Sequence, residues 1–177
     1  ALWLCRNFEH YFVAIDDTRF YLETLGCPGE KITLSGIPID PKFSELKPRN
    51  EMRLKYGLDP EMPTILLSLG GFGVGRIDPL LDGLRSITPP VQVLAMCGKN
   101  EELKSRLDSE PADAKGVRVI PVGYTSDMDE YMSASDLIVG KPGGLTACEA
   151  LAKGLVFVIA NPIPGQEERN SDHLMEQ

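Results

Sequence analysis

The chain has 177 residues, 42% of them apolar and 25% charged, a balance that excludes collagen-like, coiled-coil and intrinsically disordered classes. Twenty-six acids against 18 bases give a net charge of -8. A surface this acidic repels phosphate backbones, which argues against a nucleic-acid partner but not against one bound nucleotide, because a helix N-terminus holds phosphate without net positive charge.

In chain order, the first ten residues, ALWLCRNFEH, lack the apolar stretch of a signal peptide. Residues 11–15 (YFVAI) predict a strand, and Asp16 or Asp17 is positioned to cap a helix that runs to Leu25 and stops at Gly26. Residues 31–34 predict a second short strand. The string GIPIDP at 36–41 carries two prolines and a glycine and reads as a linker or hinge. Residues 42–48 have no clear period. The alternation then becomes regular. A helix is predicted over 50–56 up to Gly57, a strand over 64–69, a glycine-rich loop at 70–75 and a helix over 77–86. A strand over 91–97, a helix over 100–107, a strand over 117–122 and a helix over 127–133 follow. Next come a strand over 136–140, the loop KPGG at 141–144 opening a helix to Lys153, a strand over 155–160, the loop NPIPG at 161–165, and a helix from Gln166 onward. The longest apolar run, residues 155–160, is far short of the about 20 residues a membrane-spanning helix needs.

Five βα units whose strands are apolar on both faces predict an α/β fold, a parallel sheet covered by helices. Right-handed crossovers make it a doubly wound, Rossmann-like domain, expected over 42–177. Residues 1–41 are expected to be the tail of a truncated preceding domain plus the hinge, and the last helix is expected to be cut short. Doubly wound sheets bind ligands beyond the carboxyl ends of their strands, where strand order reverses. In the order 3-2-1-4-5 the reversal lies between the first strand, ending at the 70–75 loop, and the fourth, ending at the 141–144 loop. Both glycine loops should therefore flank one crevice.

The first loop fits no complete phosphate fingerprint. Gly71 and Gly73 suit G-x-G-x-x-G, but Arg76 takes the third glycine's place and no acid follows the next strand. Gly70 and Gly75 suit a P-loop, but Arg76-Ile77 stands where Lys-Ser or Lys-Thr is required. In the second loop, Gly143 and Gly144 let backbone approach a ligand closely, and the helix start with the Thr146 hydroxyl offers donors to a diphosphate. Glu149, one turn on, is suited to two ribose hydroxyls; Thr146-x-x-Glu149 equally fits a capping box. Lys141 either adds charge near the phosphates or makes a surface salt bridge. After the fifth strand, Gln166 and Glu167 set an amide beside a carboxylate, a pair suited to adjacent sugar hydroxyls, with Asn170 one turn along; the same residues also suit a solvated helix start. In the loop 123–126, backbone groups could meet a base edge, while Ser126 also suits the N-cap of the next helix. Asp127-Met128-Asp129 is a D-x-D string in a first helical turn, where acids are favoured without a metal. The four cysteines have no C-x-x-C spacing and only two histidines accompany them, so reduced, mostly buried thiols and no zinc site are expected.

Four strings together resemble the MurG-like GT-B glycosyltransferases, and within them the diacylglycerol glucosyl- and galactosyltransferases. They are GIPI at 36–39 before Phe43, CGKN at 97–100, DLIVGKPGGLT at 136–146 with Glu149, and PIPGQE at 162–167 with Asn170. The resemblance covers nearly the whole chain. It implies an inverting enzyme of two Rossmann-like domains, of which this chain carries the C-terminal half that binds a UDP-sugar as co-substrate, with no cofactor and no metal. Carried over by motif, Gly71, Phe72, Gly73 and Gly75, with Lys141, Gly143, Gly144, Leu145 and Thr146, would face the diphosphate. Glu149 would hold the ribose, the Thr125 backbone would meet uracil, and Gln166, Glu167 and Asn170 would line the sugar. Asp40 stands where relatives often carry a basic residue. The catalytic base, the lipid acceptor site and the membrane surface would belong to the absent N-terminal domain. The full-length enzyme would be cytoplasmic and peripheral to the membrane, and the fragment inactive alone. Two other readings compete: a nucleotide-sugar-binding subunit of a split transferase, and a UDP-sugar epimerase on the same fold.

Overall fold

The computed structural model describes residues 8–68, 77–86, 88, 90–110, 113–114 and 116–175, with backbone alone for 113, 114 and 166. The chain divides into two compact units, residues 1–39 and 40–177.

The first unit is a single βαβ turn. Strand β1 (Tyr11–Val13) pairs in parallel with β2 (Ile32–Leu34), and helix α1 (Asp16–Thr24) makes the crossover. β1 is shorter than its apolar run because its only described partner ends at Leu34, which pairs with Val13. The expected aspartate cap is not there. Ile15, in an extended conformation, occupies the cap position, and Asp16 and Asp17 lie inside the first turn, where their charge favours the helix dipole instead. Gly26 does stop the helix: at φ 85° its N–H donates to the Glu23 carbonyl while that of Cys27 donates to Leu22, the paired bonds of a Schellman turn. Val13, Cys27 and Ile32 form the small core beneath.

The second unit opens with a 3-10 turn, Pro41–Ser44, in the stretch that had no period; the Asp40 carboxylate caps it by accepting the Lys42 N–H at 3.1 Å. Then follow α2 (Arg49–Lys55), β3 (Thr64–Ser68), α3 (Ile77–Leu84), β4 (Val91–Gly98), α4 (Glu101–Ser109), β5 (Asp113–Ala114), β6 (Val117–Gly123), α5 (Met128–Ala134), β7 (Leu137–Gly140), α6 (Gly144–Ala152), β8 (Val156–Ile159) and α7 (Gln166–Met175). The strands lie in the order β5-β6-β4-β3-β7-β8. The five long ones are parallel and run 3-2-1-4-5, with the reversal between β3 and β7 as expected; β5 is a two-residue antiparallel addition whose length gives no sequence period. Ile65, Leu67, Val93, Ala95 and Cys97 pack on one face with Ile77, Leu81 and Leu107, while Leu66, Leu94 and Ile138 are fully buried as well. Burial on both faces is what the unbroken apolar strands demand. β8 departs from this, its Val156 and Val158 being exposed.

A clamp built on the buried Arg53 joins the two central strands at their amino ends. Arg53, 5% exposed, donates to Asp136 at 2.6 Å, to the Ala134 carbonyl at 2.9 Å and to the Pro60 carbonyl at 2.7 Å. The same Asp136 oxygen accepts the Thr64 N–H at 2.7 Å, tying the start of β3 to the start of β7. Glu130 links α2 to α5 through Lys55, the Tyr56 hydroxyl and Lys47. Among the described residues no helix is long and apolar enough to cross a membrane.

Candidate functional site

The parallel pairing of β3 with β7 delivers two loops side by side at the carboxyl ends. Ser68, the last residue of β3, pairs with Gly140, the last of β7. The loop after β3 holds Gly71, Phe72, Gly73 and Gly75, which lie outside the described residues, but its root is adjacent to the root of the 141–144 loop. Lys141 is half-buried at that root.

Helix α6 begins there without a side-chain cap. Gly143 is its cap residue, with extended φ and ψ of -64° and 141°, so Gly144, Leu145 and Thr146 are its first three helical residues. The Gly143 N–H turns back to the Lys141 carbonyl at 2.8 Å, and the first intrahelical bond runs from Ala147 to Gly143 at 2.9 Å. Among the described residues the N–H groups of Gly144, Leu145 and Thr146 have no acceptor. Three aligned donors at a helix start form an anion cradle. The geometry also removes the capping-box reading: Thr146 is inside the helix, not at its cap.

Glu149 follows on the same helix, half-buried, and among the described residues its carboxylate has neither hydrogen bond nor ion pair. Burial pushes its pKa up, the Lys42 ammonium pulls it down, and Asp40 pushes it up again. Lys42 had no signal in the sequence because it lies in the aperiodic stretch. Its ammonium donates to the Ser126 carbonyl at 2.7 Å, and its own carbonyl accepts from Lys153 at 3.3 Å. One lysine thus links the Glu149 neighbourhood to the loop after β6.

That loop borders a cleft of about 160 Å³ formed with Ser68, Gly98 and Lys99 at the ends of β3 and β4. Tyr124 is 73% exposed, with the Lys99 ammonium 5.5 Å from its ring centre. The Thr125 hydroxyl accepts the Asp127 N–H at 2.9 Å, leaving the Thr125 backbone N–H and carbonyl unpaired among the described residues. Helix α5 starts at Met128 behind Asp127, so Ser126 is not its cap; its hydroxyl donates to the Asp127 carboxylate instead. The D-x-D string does not converge, since Asp129 is buried against Lys47. Among the described residues no group of three or more metal-ligating side chains occurs, and Cys27, Cys97 and Cys148 are free thiols.

On the far side, the Glu167 carboxylate accepts the Ile163 N–H at 2.6 Å and that of Glu168 accepts the Gly165 N–H at 2.9 Å, so both acids brace the loop before α7. Gln166 opens that helix. Asn170 reaches across and donates its amide N–H to the Pro142 carbonyl at 2.8 Å. The fold therefore gathers Gly143, Gly144, Leu145, Thr146, Glu149 and Asn170 around the end of β7, and sets Thr125 beyond β4 on the loop that Lys42 holds.

Residues 80–176 match the family model described as the glycosyltransferase family 28 C-terminal domain. The processive diacylglycerol beta-glucosyltransferase of Staphylococcus haemolyticus strain JCSC1435 is 36% identical over 170 residues, covering 96% of this chain and 43% of that protein. The enzyme of the same name from Staphylococcus aureus strain Newman is 33% identical over 176 residues, covering 99% and 44%. The chain thus spans less than half the length of these relatives. Among solved structures, Acinetobacter baumannii MurG superposes with a TM-score of 0.58 at 20% identity, covering 81% of this chain and 41% of that one. WaaG, a glycosyltransferase involved in lipopolysaccharide biosynthesis, gives 0.53 at 18% identity, covering 95% and 53%. Both are likenesses of fold. With its doubly wound sheet and more than half its length matched, the chain belongs to the glycosyltransferase family 28 C-terminal domain family.

Proposed function

We propose that this chain binds a UDP-sugar and forms the donor half of an inverting transferase that moves a hexose onto a diacylglycerol-type lipid. The observation that carries the reading is the start of α6, whose first three N–H groups have no acceptor among the described residues and stand beside the roots of both glycine loops at the strand-order reversal. A diphosphate seated there accepts those bonds, with the Thr146 hydroxyl and Lys141 alongside, and Gly71, Phe72, Gly73 and Gly75 are assigned to the same ligand. Glu149, half-buried and unpaired among the described residues, accepts from two ribose hydroxyls. The Thr125 backbone meets the uracil edge. Gln166 and Glu167 are assigned to the sugar, Glu167 with one oxygen uncommitted among the described residues after bonding Ile163. The 36% identity to diacylglycerol glucosyltransferases supports glucose as the hexose and a lipid as the acceptor.

In the proposed reaction the acceptor hydroxyl attacks the anomeric carbon, its proton passes to a base, and the bond to the diphosphate breaks. This chain's contribution is to stabilise the charge that develops on the departing UDP. Fixed N–H donors do this with little reorganisation, so no metal is required. In this reading the base, the lipid site and the contact with a cytoplasmic membrane surface are assigned to no residue of this chain.

Calorimetric titration with UDP, ADP, UDP-glucose and UDP-galactose tests the donor assignment. UDP is expected to bind tighter than ADP and equally in Mg²⁺ and in EDTA. Tighter ADP binding rejects a uridine site, and loss of binding in EDTA rejects the metal-free cradle.

A further inference from the structure

The geometry points to Asn170 as a positioning residue for the diphosphate loop, acting through the Pro142 carbonyl. The proposal rests on the donor-site reading above and reassigns the role of a single residue within it. Pro142 has no N–H to anchor it, and its side chain is fully buried. Its carbonyl lies one peptide before Gly143, the residue that sets the direction of the three free N–H groups. The preceding Lys141 carbonyl is already used by the Gly143 N–H. The Asn170 amide is the described side chain that reaches the Pro142 oxygen, at 2.8 Å. The bond spans two elements, α7 and the loop after β7, and joins residues 28 apart in the chain. A carbonyl can only accept, so the bond must use the amide nitrogen. One of its two N–H groups is then committed to the loop.

The consequence is a distinction between ligands. A residue that touches only the sugar affects UDP-sugar binding and leaves UDP alone. A residue that aims the α6 donors affects UDP itself, and affects UDP-glucose by the same factor. The Glu167 and Glu168 bonds to the loop before α7 hold that helix start independently, so loss of Asn170 should loosen the 141–146 backbone without unfolding α7.

The test compares wild type with Asn170→Ala and Asn170→Asp in the 177-residue chain. The aspartate variant keeps the shape but replaces the donor with an acceptor. UDP and UDP-glucose affinities are expected to fall by the same about three- to tenfold in the alanine variant, the worth of one hydrogen bond, and further in the aspartate variant. Amide exchange at Gly143 and Ala147, the two bonded N–H groups of this stretch, should quicken in both variants without UDP, while exchange in β3 and β4 stays unchanged. A fall confined to UDP-glucose, or unchanged amide exchange at Gly143 and Ala147, overturns the positioning role. If wild type binds no UDP yet the exchange at Gly143 and Ala147 quickens in the variants, the donor-site reading fails and the tether stands.

Discussion

Gly140 lies so close to Ser68 that a β-carbon on it would stand 2.2 Å from the Ser68 carbonyl oxygen. That contact is between two backbones paired in register, so neither can swing aside as a flexible side chain would. Gly140 is thus required for β3 and β7 to end side by side. Gly143, three residues on, is a different case: a β-carbon there meets nothing within 4 Å, and its φ of -64° suits any residue. The two glycines separate folding from binding. Gly140→Ala should lower the melting temperature and weaken UDP binding together. Gly143→Ala should melt only slightly lower, by the modest cost of alanine at a helix cap, and lose UDP affinity out of proportion, because the added methyl enters the space a diphosphate needs. A Gly143→Ala protein that binds UDP normally removes that loop from the site.

The clamp at the other end of the same strands gives the converse control. Removing Arg53 strips Asp136 of its buried partner and leaves the Ala134 and Pro60 carbonyls unpaired. The Asp136 side chain is 34% exposed and keeps Arg49 at 2.9 Å, so the loss is that of the bonds to the carbonyls left unmade, about 1 to 3 kcal/mol. Arg53→Met should therefore shift the urea midpoint strongly. The clamp lies at the amino ends of the strands, away from α6, so the fraction that remains folded should bind UDP with wild-type affinity. Affinity loss in the folded fraction would mean that the β3–β7 register is not held by the remaining ladder alone.

The order of the sheet was legible because each strand is a short apolar run bounded by glycine, proline or a charged helix, and the right-handed crossover leaves few ways to stack such units. The α6 donors were legible too, since two glycines before Leu145 mark a helix start. Three things were not. The caps of α1 and α5 depended on where the first helical bond falls, a matter of one residue that Asp16 and Ser126 do not encode. Lys42 is drawn to the site by a 3-10 turn with no hydrophobic period, and sequence patterns carry no sign of it. Asn170 was legible as a polar residue one turn into a helix facing the site, but not as a donor to Pro142, because a bond across 28 residues depends on the packing of two loops.

Glu130 provides a measurable acid limb. The Lys55 ammonium, the Tyr56 hydroxyl and Lys47 hold its pKa down at about 2, against the desolvation that opposes them. A carboxylate lowered by folding stabilises the protein fully above its ordinary value, about 4.3, and that contribution is lost as the pH falls toward the folded value. Glu130→Gln should cost on the order of 2 kcal/mol at pH 7 in urea unfolding, the loss of charged hydrogen bonds. It should also flatten the decline of stability below about pH 4.3. An unchanged acid limb would show that the α2–α5 link is solvated rather than structural.

Glu149 should behave in the opposite sense. Burial raises its pKa, with Lys42 opposing and Asp40 assisting. A raised carboxylate binds its proton more tightly in the folded chain than in the unfolded one, so it penalises folding above the raised value. The penalty disappears below the ordinary carboxylate range, at about pH 4. Glu149→Gln should therefore melt at a higher temperature than wild type at neutral pH and at the same temperature at about pH 4. The same change should weaken UDP binding by about tenfold or more, since hydrogen bonds to a charged acceptor are worth about 1.5 to 3 kcal/mol. Higher stability with lower affinity is the mark of a residue kept for a ligand at the fold's expense. A Glu149→Gln chain that is less stable at neutral pH, or binds UDP as wild type does, would make the carboxylate a structural group and leave the ribose without its acceptor.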